Sequence, residues 1–178
     1  YSTQAALAVW RALYFRPGPG DDGLPDGASA QLRGGAYLVN GLGHCSACHA
    51  PRSLLGGSGS LADSAGSGTL PGLRWQAPSL TDPAELGLGR RDARELVQLL
   101  KTGLSDHAAV MGPMAEVVAE STQHLADADL QAMVAYLQAL APVHPTTTPP
   151  RLPPRDDTAM ARGSRLYTDQ CASCHGAQ

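Results

Sequence analysis

Apolar residues recur at intervals of three and four along several stretches of this chain, and each such stretch predicts an amphipathic α-helix. The stripe is clearest at Leu130, Met133, Val134 and Leu137, in a helix expected to end near Leu140. The chain also contains 20 Gly and 14 Pro residues, which favour long loops between few helices. The pattern therefore predicts a mainly α protein, with helices over residues 4–15, 30–42, 92–104, 115–124, 130–140 and 159–170.

Two boundary signals flank the predicted helix over residues 92–104. Asp92 followed by Glu95 is typical of a capping box, in which each residue satisfies an N–H group of the first turn. Gly103 is suited to end the helix, since glycine readily adopts the left-handed conformation found there. The apolar stripe of this helix consists of Ala93, Leu96, Val97 and Leu100.

Two long stretches lack any apolar pattern. Residues 54–72 are mostly small, which favours an exposed flexible loop. Residues 142–157 contain six prolines, which favour an extended spacer and indicate a domain boundary. The helix near the N-terminus is either a connector that lies on a neighbouring domain or an ordinary surface helix. The sequence thus predicts a connector at 1–28, a helical domain at 29–141, a Pro-rich linker at 142–157 and the incomplete start of a further domain at 158–178.

Composition and charge exclude several classes of protein. A formal net charge of −3 argues against a strongly basic nucleic-acid-binding protein, so no nucleic-acid partner is expected. No apolar run is long enough to span a bilayer. Aromatic residues make up 4% of the chain, which is low for a core filled by side chains alone. The first residues, Tyr1, Ser2 and Thr3, resemble a cut end, and we expect that a signal sequence has been lost.

All four cysteines of the chain fall in two copies of the motif C-x-x-C-H. This motif is typical of c-type haem attachment, because two thiols bond to the porphyrin and the adjacent imidazole binds iron from below. A haem is a large flat apolar group that would also supply the missing core. The sequence therefore predicts two haem c attachment sites, one at Cys45, Cys48 and His49 and the other at Cys171, Cys174 and His175.

Two other uses of these cysteines fit less well. A thioredoxin-like C-x-x-C motif requires a βαβ setting and does not need a following His. A zinc ribbon places its two cysteine pairs about 15–20 residues apart. Here more than a hundred residues separate Cys48 from Cys171. Haem attachment is the interpretation that accounts for every cysteine and for both histidines.

The haem on His49 needs a sixth iron ligand, for which a Met thioether is the expected group. Met133 belongs to a core stripe and Met160 lies beyond the linker, which leaves Met111 and Met114. Pro113 would stiffen the backbone of a loop that holds Met114, and we favour Met114 for that reason. The remaining histidines are interpreted as exposed or structural: His44, His107, His124 and His144. Of these, His107 and His124 are the alternative candidates for the sixth iron ligand.

Two residues between the predicted helices could support the haem. The indole N–H of Trp75 could donate to a haem propionate, or the ring could simply belong to the core. The carbonyl of Pro78 could accept from the far nitrogen of the ligating His and so orient its ring, or the proline could only form a turn. Both interpretations of each residue remain open from the sequence.

The sixth ligand decides the expected function. With both axial positions of iron filled by protein, the haem can only accept and pass on an electron. An open position would instead permit peroxide chemistry, as in a di-haem peroxidase, and a third alternative is a haem that is purely structural. With Met114 as the sixth ligand the first hypothesis is favoured, and the chain is expected to be an electron-transfer protein rather than an enzyme.

The order helix, C-x-x-C-H, long loop, helix, Met and helix resembles that of class I cytochromes c. The second motif matches closely, because Gly163 and Tyr167 stand eight and four residues before Cys171. The first motif departs from this pattern, since Tyr37 and Gly41 occupy those two positions before its first cysteine. This resemblance implies a class I cytochrome c fold, with helix packing that differs near the first motif.

A more specific resemblance covers nearly the whole chain. It is to the second haem domain of the multi-haem cytochrome c subunits of membrane-bound dehydrogenases. The segments that carry it are 10–15, 33–45, 48–52, 75–81, 112–118 and the Pro-rich linker before a further C-x-x-C-H. The resemblance implies the middle of a tri-haem subunit, with the distal ligand of the His175 haem supplied by residues outside this chain.

The same resemblance implies partners and a location. Such subunits accept electrons from a catalytic dehydrogenase subunit of the quinoprotein, flavoprotein or molybdenum type. They pass the electrons through further haem domains to membrane quinone or to an oxidase. We therefore expect a periplasmic protein, attached to the inner membrane through its complex or through missing segments.

Overall fold

The computed structural model describes residues 3–15, 24–61, 68–70, 75–83, 85–140 and 156–176. The chain divides into two compact units, Tyr1–Thr147 and Thr148–Gln178. The predicted linker falls almost entirely on residues 141–155, which lie outside the described residues. Each unit is considered by itself below.

Helices dominate the first unit, so the predicted mainly α fold class is confirmed. Its α-helices are α1 (Thr3–Tyr14), α2 (Ala30–Ala36), α3 (Ser46–His49), α4 (Ala93–Thr102), α5 (Pro113–Glu120) and α6 (Asp127–Ala139). A π-helix spans Tyr37–Leu42, and 3₁₀ helices span Leu88–Arg90 and Thr122–His124. Two short strands, β1 (Gly68–Leu70) and β2 (Trp75–Ala77), pair antiparallel.

The core of this unit lies where α2 crosses α6. The predicted stripe of α6 is confirmed, because Leu130, Met133, Val134 and Leu137 are all buried. The crossing is close since Gly35 presents no side chain to α6, and a β-carbon there would overlap the carbonyl of Ala132. Burial of each large side chain in such a core contributes about 1.5–3 kcal/mol. This core fixes the start of the segment that leads to the first cysteine motif.

The predicted boundaries of α4 are largely confirmed. The side chain of Asp92 accepts a hydrogen bond from the N–H of Arg94 at 2.7 Å, and this contact lowers the pKa of the carboxyl. Gly103 ends the helix with φ 79°, in the left-handed region that favours glycine. The Glu95 carboxylate lies 2.6 Å from Nδ1 of His107, which ties α4 to the following loop. Ala93 is exposed, so its predicted place in the buried stripe is wrong.

Helix α5 begins two residues earlier than predicted. Pro113 occupies its first turn, where backbone N–H groups have no intrahelical acceptor. Proline, which has no N–H, therefore fits this position without loss of a hydrogen bond. The helix ends at Glu120, and a separate 3₁₀ turn follows. Met114 therefore lies in the first turn of a helix, and the prediction that a loop carries it is wrong.

The predicted helix over residues 30–42 changes type halfway, because α2 is followed by the π-helix. The N–H of Cys45 donates to the carbonyl of Val39, six residues earlier, at 3.1 Å. The N–H of Cys171 donates to the carbonyl of Tyr167, only four residues earlier, at 2.8 Å. The first motif thus has two additional residues before its first cysteine, and π-type turns accommodate extra residues of this kind. The same change leaves Leu42 exposed.

The predicted loop over residues 54–72 is only partly a loop. Strand β1 lies within it and pairs with β2, so that Leu70 is opposite Trp75. Leu61 is buried in the core, whereas Leu54 is fully exposed. The small residues in this stretch gave no pattern from which strand β1 or the burial of Leu61 could be predicted.

Helix α1 lies on the segment that follows the first cysteine motif. The indole N–H of Trp10 donates to the carbonyl of Leu55 at 2.9 Å. The hydroxyl of Ser53 donates to that of Tyr14 at 3.0 Å. A β-carbon on Gly57 would overlap the Tyr14 ring, so glycine permits this contact. None of the helices in the described ranges is long and apolar enough to cross a membrane.

The second unit contains α7 (Asp157–Gln170) and α8 (Ala172–His175). Helix α7 begins two residues before the predicted start, because the Asp156 side chain caps it by accepting from the N–H groups of Thr158 and Ala159. The hydroxyl of Tyr167 donates to the carbonyl of Gly176 at 2.9 Å. This bond closes the turn that contains the second cysteine motif.

Candidate haem-binding site

The first C-x-x-C-H motif forms a single tight turn. The N–H groups of Cys48 and His49 both donate to the carbonyl of Cys45, at 3.2 and 2.9 Å. Helix α3 begins directly after Cys45, so both thiols and the imidazole are presented by less than two turns of helix. Both thiols are free and half-buried. This arrangement gives two thiols and one ring nitrogen a fixed spacing, as covalent haem attachment requires.

Burial raises the pKa of the Cys45 thiol to about 11, against a smaller lowering by a backbone hydrogen bond. The neighbouring Cys48 raises the pKa slightly further. The thiol is therefore protonated at neutral pH. Redox-active C-x-x-C motifs instead lower the pKa of a cysteine and expose it, so this environment does not fit the thioredoxin-like alternative.

His49 is oriented by a backbone group from a distant segment. Its Nδ1 lies 2.8 Å from the carbonyl oxygen of Pro78, which is the contact predicted by one of the two interpretations of this proline. Because a carbonyl only accepts hydrogen bonds, Nδ1 carries the proton and Nε2 has the lone pair that a metal needs. Burial lowers the pKa of His49, while the Pro78 carbonyl raises it less. The neutral imidazole is therefore favoured, and this is the form that ligates iron.

Arg52 also holds the cysteine turn, a role that the sequence reasoning missed. Its guanidinium donates to the carbonyl of Ala47, between the two cysteines, at 2.7 Å. A second bond reaches the carbonyl of Gly56 at 3.2 Å. The available signal was the position of Arg52 three residues after His49, within the resemblance already described. A positive charge and two donors therefore lie beside the turn.

Trp75 lies against Gly112, two residues before the favoured sixth ligand. A β-carbon on Gly112 would lie 2.6 Å from the indole ring, so this glycine allows the ring to approach. Gly112 has φ 56° and ψ −139°, a conformation that favours glycine. Trp75 is 45% exposed, so the alternative that it belongs to the core is wrong. The ring thus borders the segment that begins α5.

The four methionines have different environments. Met133 is 3% exposed and belongs to the core, as predicted. Met111 is 72% exposed, whereas Met114 is half-buried in the first turn of α5. Met160 lies on α7 of the second unit and is exposed. Of the two candidate ligands, Met114 is therefore less exposed to solvent than Met111.

The histidines that could compete for iron have other surroundings. Nδ1 of His107 pairs with Glu95, and the ring is largely exposed. His124 is exposed at the end of a 3₁₀ turn. His44 has φ 35°, which makes it a strained backbone position directly before Cys45. His144 lies outside the described residues.

The second motif forms a similar turn at the end of α7. The N–H of Cys174 donates to the carbonyl of Cys171 at 3.1 Å, and both thiols are free and exposed. The backbone of His175 ends α8, and its side chain lies outside what the structure describes. Within the described part of the chain, no three His, Cys, Asp or Glu side chains come together as they would around a zinc ion.

The residues of the first motif fit a covalently bound haem. Two free thiols and a neutral imidazole with its far nitrogen already bonded are the donors that such a site takes from the motif. The cofactor indicated by this donor set is haem c.

Comparison with known proteins agrees with this geometry. The family described as cytochrome c matches residues 35–141. The chain is 39% identical to the cytochrome c subunit of alcohol dehydrogenase (quinone) from Gluconacetobacter polyoxogenes, with 95% of the chain and 38% of that protein aligned.

Two further relatives are each 35% identical to the chain. The gluconate 2-dehydrogenase cytochrome c subunit of Pantoea cypripedii aligns with 95% of the chain over 41% of its own length. The fructose dehydrogenase cytochrome subunit of Gluconobacter japonicus aligns with 98% of the chain over 39% of its own length. The chain thus spans about two fifths of the length of these relatives. The match over residues 35–141, together with the turn that presents Cys45, Cys48 and His49, shows that the chain belongs to the cytochrome c family.

Proposed function

We propose that this chain transfers electrons through haem c as part of the cytochrome c subunit of a dehydrogenase. In the first unit, Cys45 and Cys48 would hold the haem covalently, and His49 and Met114 would fill the two axial positions of iron. The observation that carries this proposal is the 2.8 Å contact between Nδ1 of His49 and the Pro78 carbonyl. It leaves Nε2 of a neutral, oriented imidazole available to iron.

The bound haem would supply a one-electron couple of iron. The chain's own residues would keep both axial positions closed, so that a substrate molecule cannot bind the metal. The Pro78 carbonyl would hold His49 in one orientation, and the first turn of α5 would hold Met114. Little rearrangement would then accompany a change of oxidation state, which suits fast electron transfer. Trp75, beside the start of α5, would border the haem and could donate its indole N–H to a propionate.

The second motif would hold a further haem through Cys171, Cys174 and His175. The short turn closed by the Tyr167–Gly176 bond supports this role. We propose a cytochrome c domain at residues 29–141, a linker at 142–157 and the start of a further cytochrome c domain at 158–178. Helix α1 would serve as the connector at 1–28, because its Trp10 and Tyr14 lie on the segment after the first motif.

The partner would be a catalytic dehydrogenase subunit, since the similar proteins named above are cytochrome subunits of dehydrogenases. That subunit would be of the quinoprotein, flavoprotein or molybdenum type. Electrons would leave through further haem domains to membrane quinone or an oxidase. The protein would work on the periplasmic side, attached to the inner membrane through the complex or through segments beyond this chain.

The test is to produce the chain in cells that attach c-type haem and to compare it with Cys45→Ala and Cys48→Ala variants. The haem on His49 should have a low-spin spectrum in both oxidation states and should not bind carbon monoxide at neutral pH. It is measured in a Cys171→Ala, Cys174→Ala variant, because the sixth ligand of the haem on His175 would come from outside the chain. The Cys45→Ala and Cys48→Ala variants should each lose one covalent bond at the first site and leave the second site intact. A high-spin haem on His49 with rapid peroxide turnover would overturn the proposal in favour of a di-haem peroxidase.

The electron-transfer role is tested with the complex. Catalytic subunit from a related dehydrogenase, reduced by its substrate, should reduce the haem of the chain in a rapid-mixing experiment. A chain without haem, produced with all four cysteines changed to alanine, is the control. Failure of a fully haem-loaded chain to accept electrons from any of the three types of catalytic subunit would contradict the proposed partner class.

A further inference from the structure

The peptide group that joins Pro78 to Ser79 is held at both polar ends. Its carbonyl oxygen, on Pro78, lies 2.8 Å from Nδ1 of His49. Its N–H, on Ser79, donates to Oε2 of Glu85 at 2.5 Å. One peptide group therefore connects a carboxylate to the imidazole assigned to iron.

The segment that carries this peptide group is fixed in the fold. Ser79 is fully buried, and its hydroxyl accepts from the N–H of Asp82 at 3.2 Å. The carbonyl of Ser79 accepts from the N–H of Leu86 at 3.4 Å. The next carbonyl, of Leu80, accepts from the N–H of Leu88 at 2.9 Å. These bonds hold Ser79 and Leu80, directly after the peptide group, and so restrict its rotation away from its two partners.

The loop that presents Glu85 is also closed by bonds of its own. Arg90 donates to the carbonyl of Pro83 at 3.5 Å, and Arg91 donates to the carbonyl of Leu86 at 3.3 Å. These two carbonyls flank Glu85 in the sequence. Glu85 is itself exposed to solvent, while one oxygen of its carboxylate contacts the N–H of the buried Ser79.

We propose that Glu85 is a positioning residue that tunes iron through the Pro78–Ser79 peptide and His49. The inference rests on the proposed role of His49 as an axial ligand. A hydrogen bond to a carboxylate is roughly twice as strong as one between neutral groups. The carboxylate polarises the Ser79 N–H and increases the negative charge on the Pro78 oxygen, since hydrogen bonds in a chain strengthen one another.

The direction of the effect follows from the chemistry of the ligand. A more negative Pro78 oxygen strengthens its hydrogen bond from Nδ1 and makes the imidazole a more basic ligand. A more basic ligand stabilises ferric iron relative to ferrous iron. Glu85 therefore lowers the midpoint potential of the haem on His49, and loss of this contact raises it.

The test uses three variants of the full haem-loaded chain. Glu85→Gln removes the charge but keeps an oxygen acceptor, and Glu85→Asp keeps the charge but withdraws it by one methylene. Glu120→Gln is the control, because it makes the same change of charge at an exposed residue at the far end of α5 from Met114. The potential is measured by spectroelectrochemistry, and the weak long-wavelength methionine–iron band identifies the haem on His49.

Both Glu85 variants should raise the reduction equilibrium constant of that haem about tenfold, which is 59 mV for a one-electron couple. The Glu120→Gln control should remain within a small fraction of this shift. A Glu85→Asp potential equal to that of the unmodified chain would overturn the inference, because charge alone would then account for the Glu85→Gln effect. Equal shifts in Glu85→Gln and Glu120→Gln would overturn it as well.

The two proposals fail in different ways. A chain whose first haem is not low-spin, or lacks a methionine–iron band, would contradict the proposed axial ligands. An intact low-spin spectrum with unchanged potentials in both Glu85 variants would contradict only the role of Glu85. Spectra of each variant before titration therefore separate the two results.

Discussion

The backbone of Gly35 on α2 lies against the carbonyl of Ala132 on α6, and a β-carbon at Gly35 would overlap that carbonyl. The same β-carbon would lie 2.9 Å from the β-carbon of Tyr136. The contact is further fixed by the amide of Asn40, which donates to the Tyr136 hydroxyl at 2.8 Å. Since α2 leads into the first cysteine motif, this crossing positions the proposed haem site relative to the core.

Gly35→Ala should destabilise the first unit by about 3 kcal/mol, because overpacking against a backbone carbonyl cannot be relieved by a rotamer change. Gly34 is the matched control, since a β-carbon there meets nothing within 4 Å. Gly34→Ala should stabilise the same helix by about 1 kcal/mol, through helix propensity alone. Denaturant unfolding of both variants measures the difference. Equal stability of the two would contradict the close crossing.

The α2–α6 crossing also shows what the sequence could and could not predict. The stripe of α6 was recoverable because helical periodicity survives where one face is buried. The glycine of α2 that contacts α6 could not be predicted. The resemblance to class I cytochromes c placed the contact positions eight and four residues before Cys45, at Tyr37 and Gly41. Gly35 and Val39 have the same four-residue separation as Gly163 and Tyr167, and the π-helix adds two residues after Val39. A change of helix type has no clear signal in apolar periodicity. The sequence therefore did not indicate which residues before Cys45 correspond to Gly163 and Tyr167.

Gly112→Ala should disturb the start of α5 more than a positive φ angle alone would. Its β-carbon would overlap the Trp75 ring and displace either the ring or the turn that carries Met114. We expect a loss of about 3 kcal/mol in the free energy of unfolding. We also expect a weaker methionine–iron band, because the ligand turn shifts.

Gly27→Ala is the control for the Gly112 prediction. Gly27 also has a positive φ, of 81°, but a β-carbon there meets nothing within 4 Å. Its replacement should cost only about 1 kcal/mol, the price of the left-handed conformation, and should leave the spectrum unchanged. If both variants lost the same stability and kept the same band, the contact between Trp75 and Gly112 would be absent in the haem-loaded protein.

Most of the candidate site was open to prediction because its chemistry is local in sequence. Cys45, Cys48 and His49 follow from one motif. The Pro78 contact was one of two interpretations, suggested because a ligating His is usually bonded at its far nitrogen. Glu85 and Arg52 could not be found in this way. Both donate to or accept from backbone groups only four to six residues away, but a side chain that contacts a peptide group leaves no spacing rule in the sequence.

His44 supplies a prediction about backbone strain beside the haem motif. With φ 35°, it adopts a conformation that costs a residue with a β-carbon about 1 kcal/mol or more relative to glycine. His44→Gly should therefore be more stable than His44→Ala by about 1 kcal/mol in denaturant unfolding. The absorption spectrum should be the same in both, since His44 is not expected to bind iron. A change of spin state in both variants would instead assign His44 to the metal.

Replacement of the two candidate methionines separates the proposed sixth ligand from its neighbour. Met114→Ala should leave the haem covalently attached, because Cys45, Cys48 and His49 are unchanged. It should open the sixth position, allow carbon monoxide to bind and lower the potential by something on the order of 0.1 V, within the roughly 0.8 V range set by axial ligands. Met111→Ala should change none of these, because that side chain is 72% exposed. The reverse result would assign the iron to Met111 and would require the start of α5 to unwind when haem is attached.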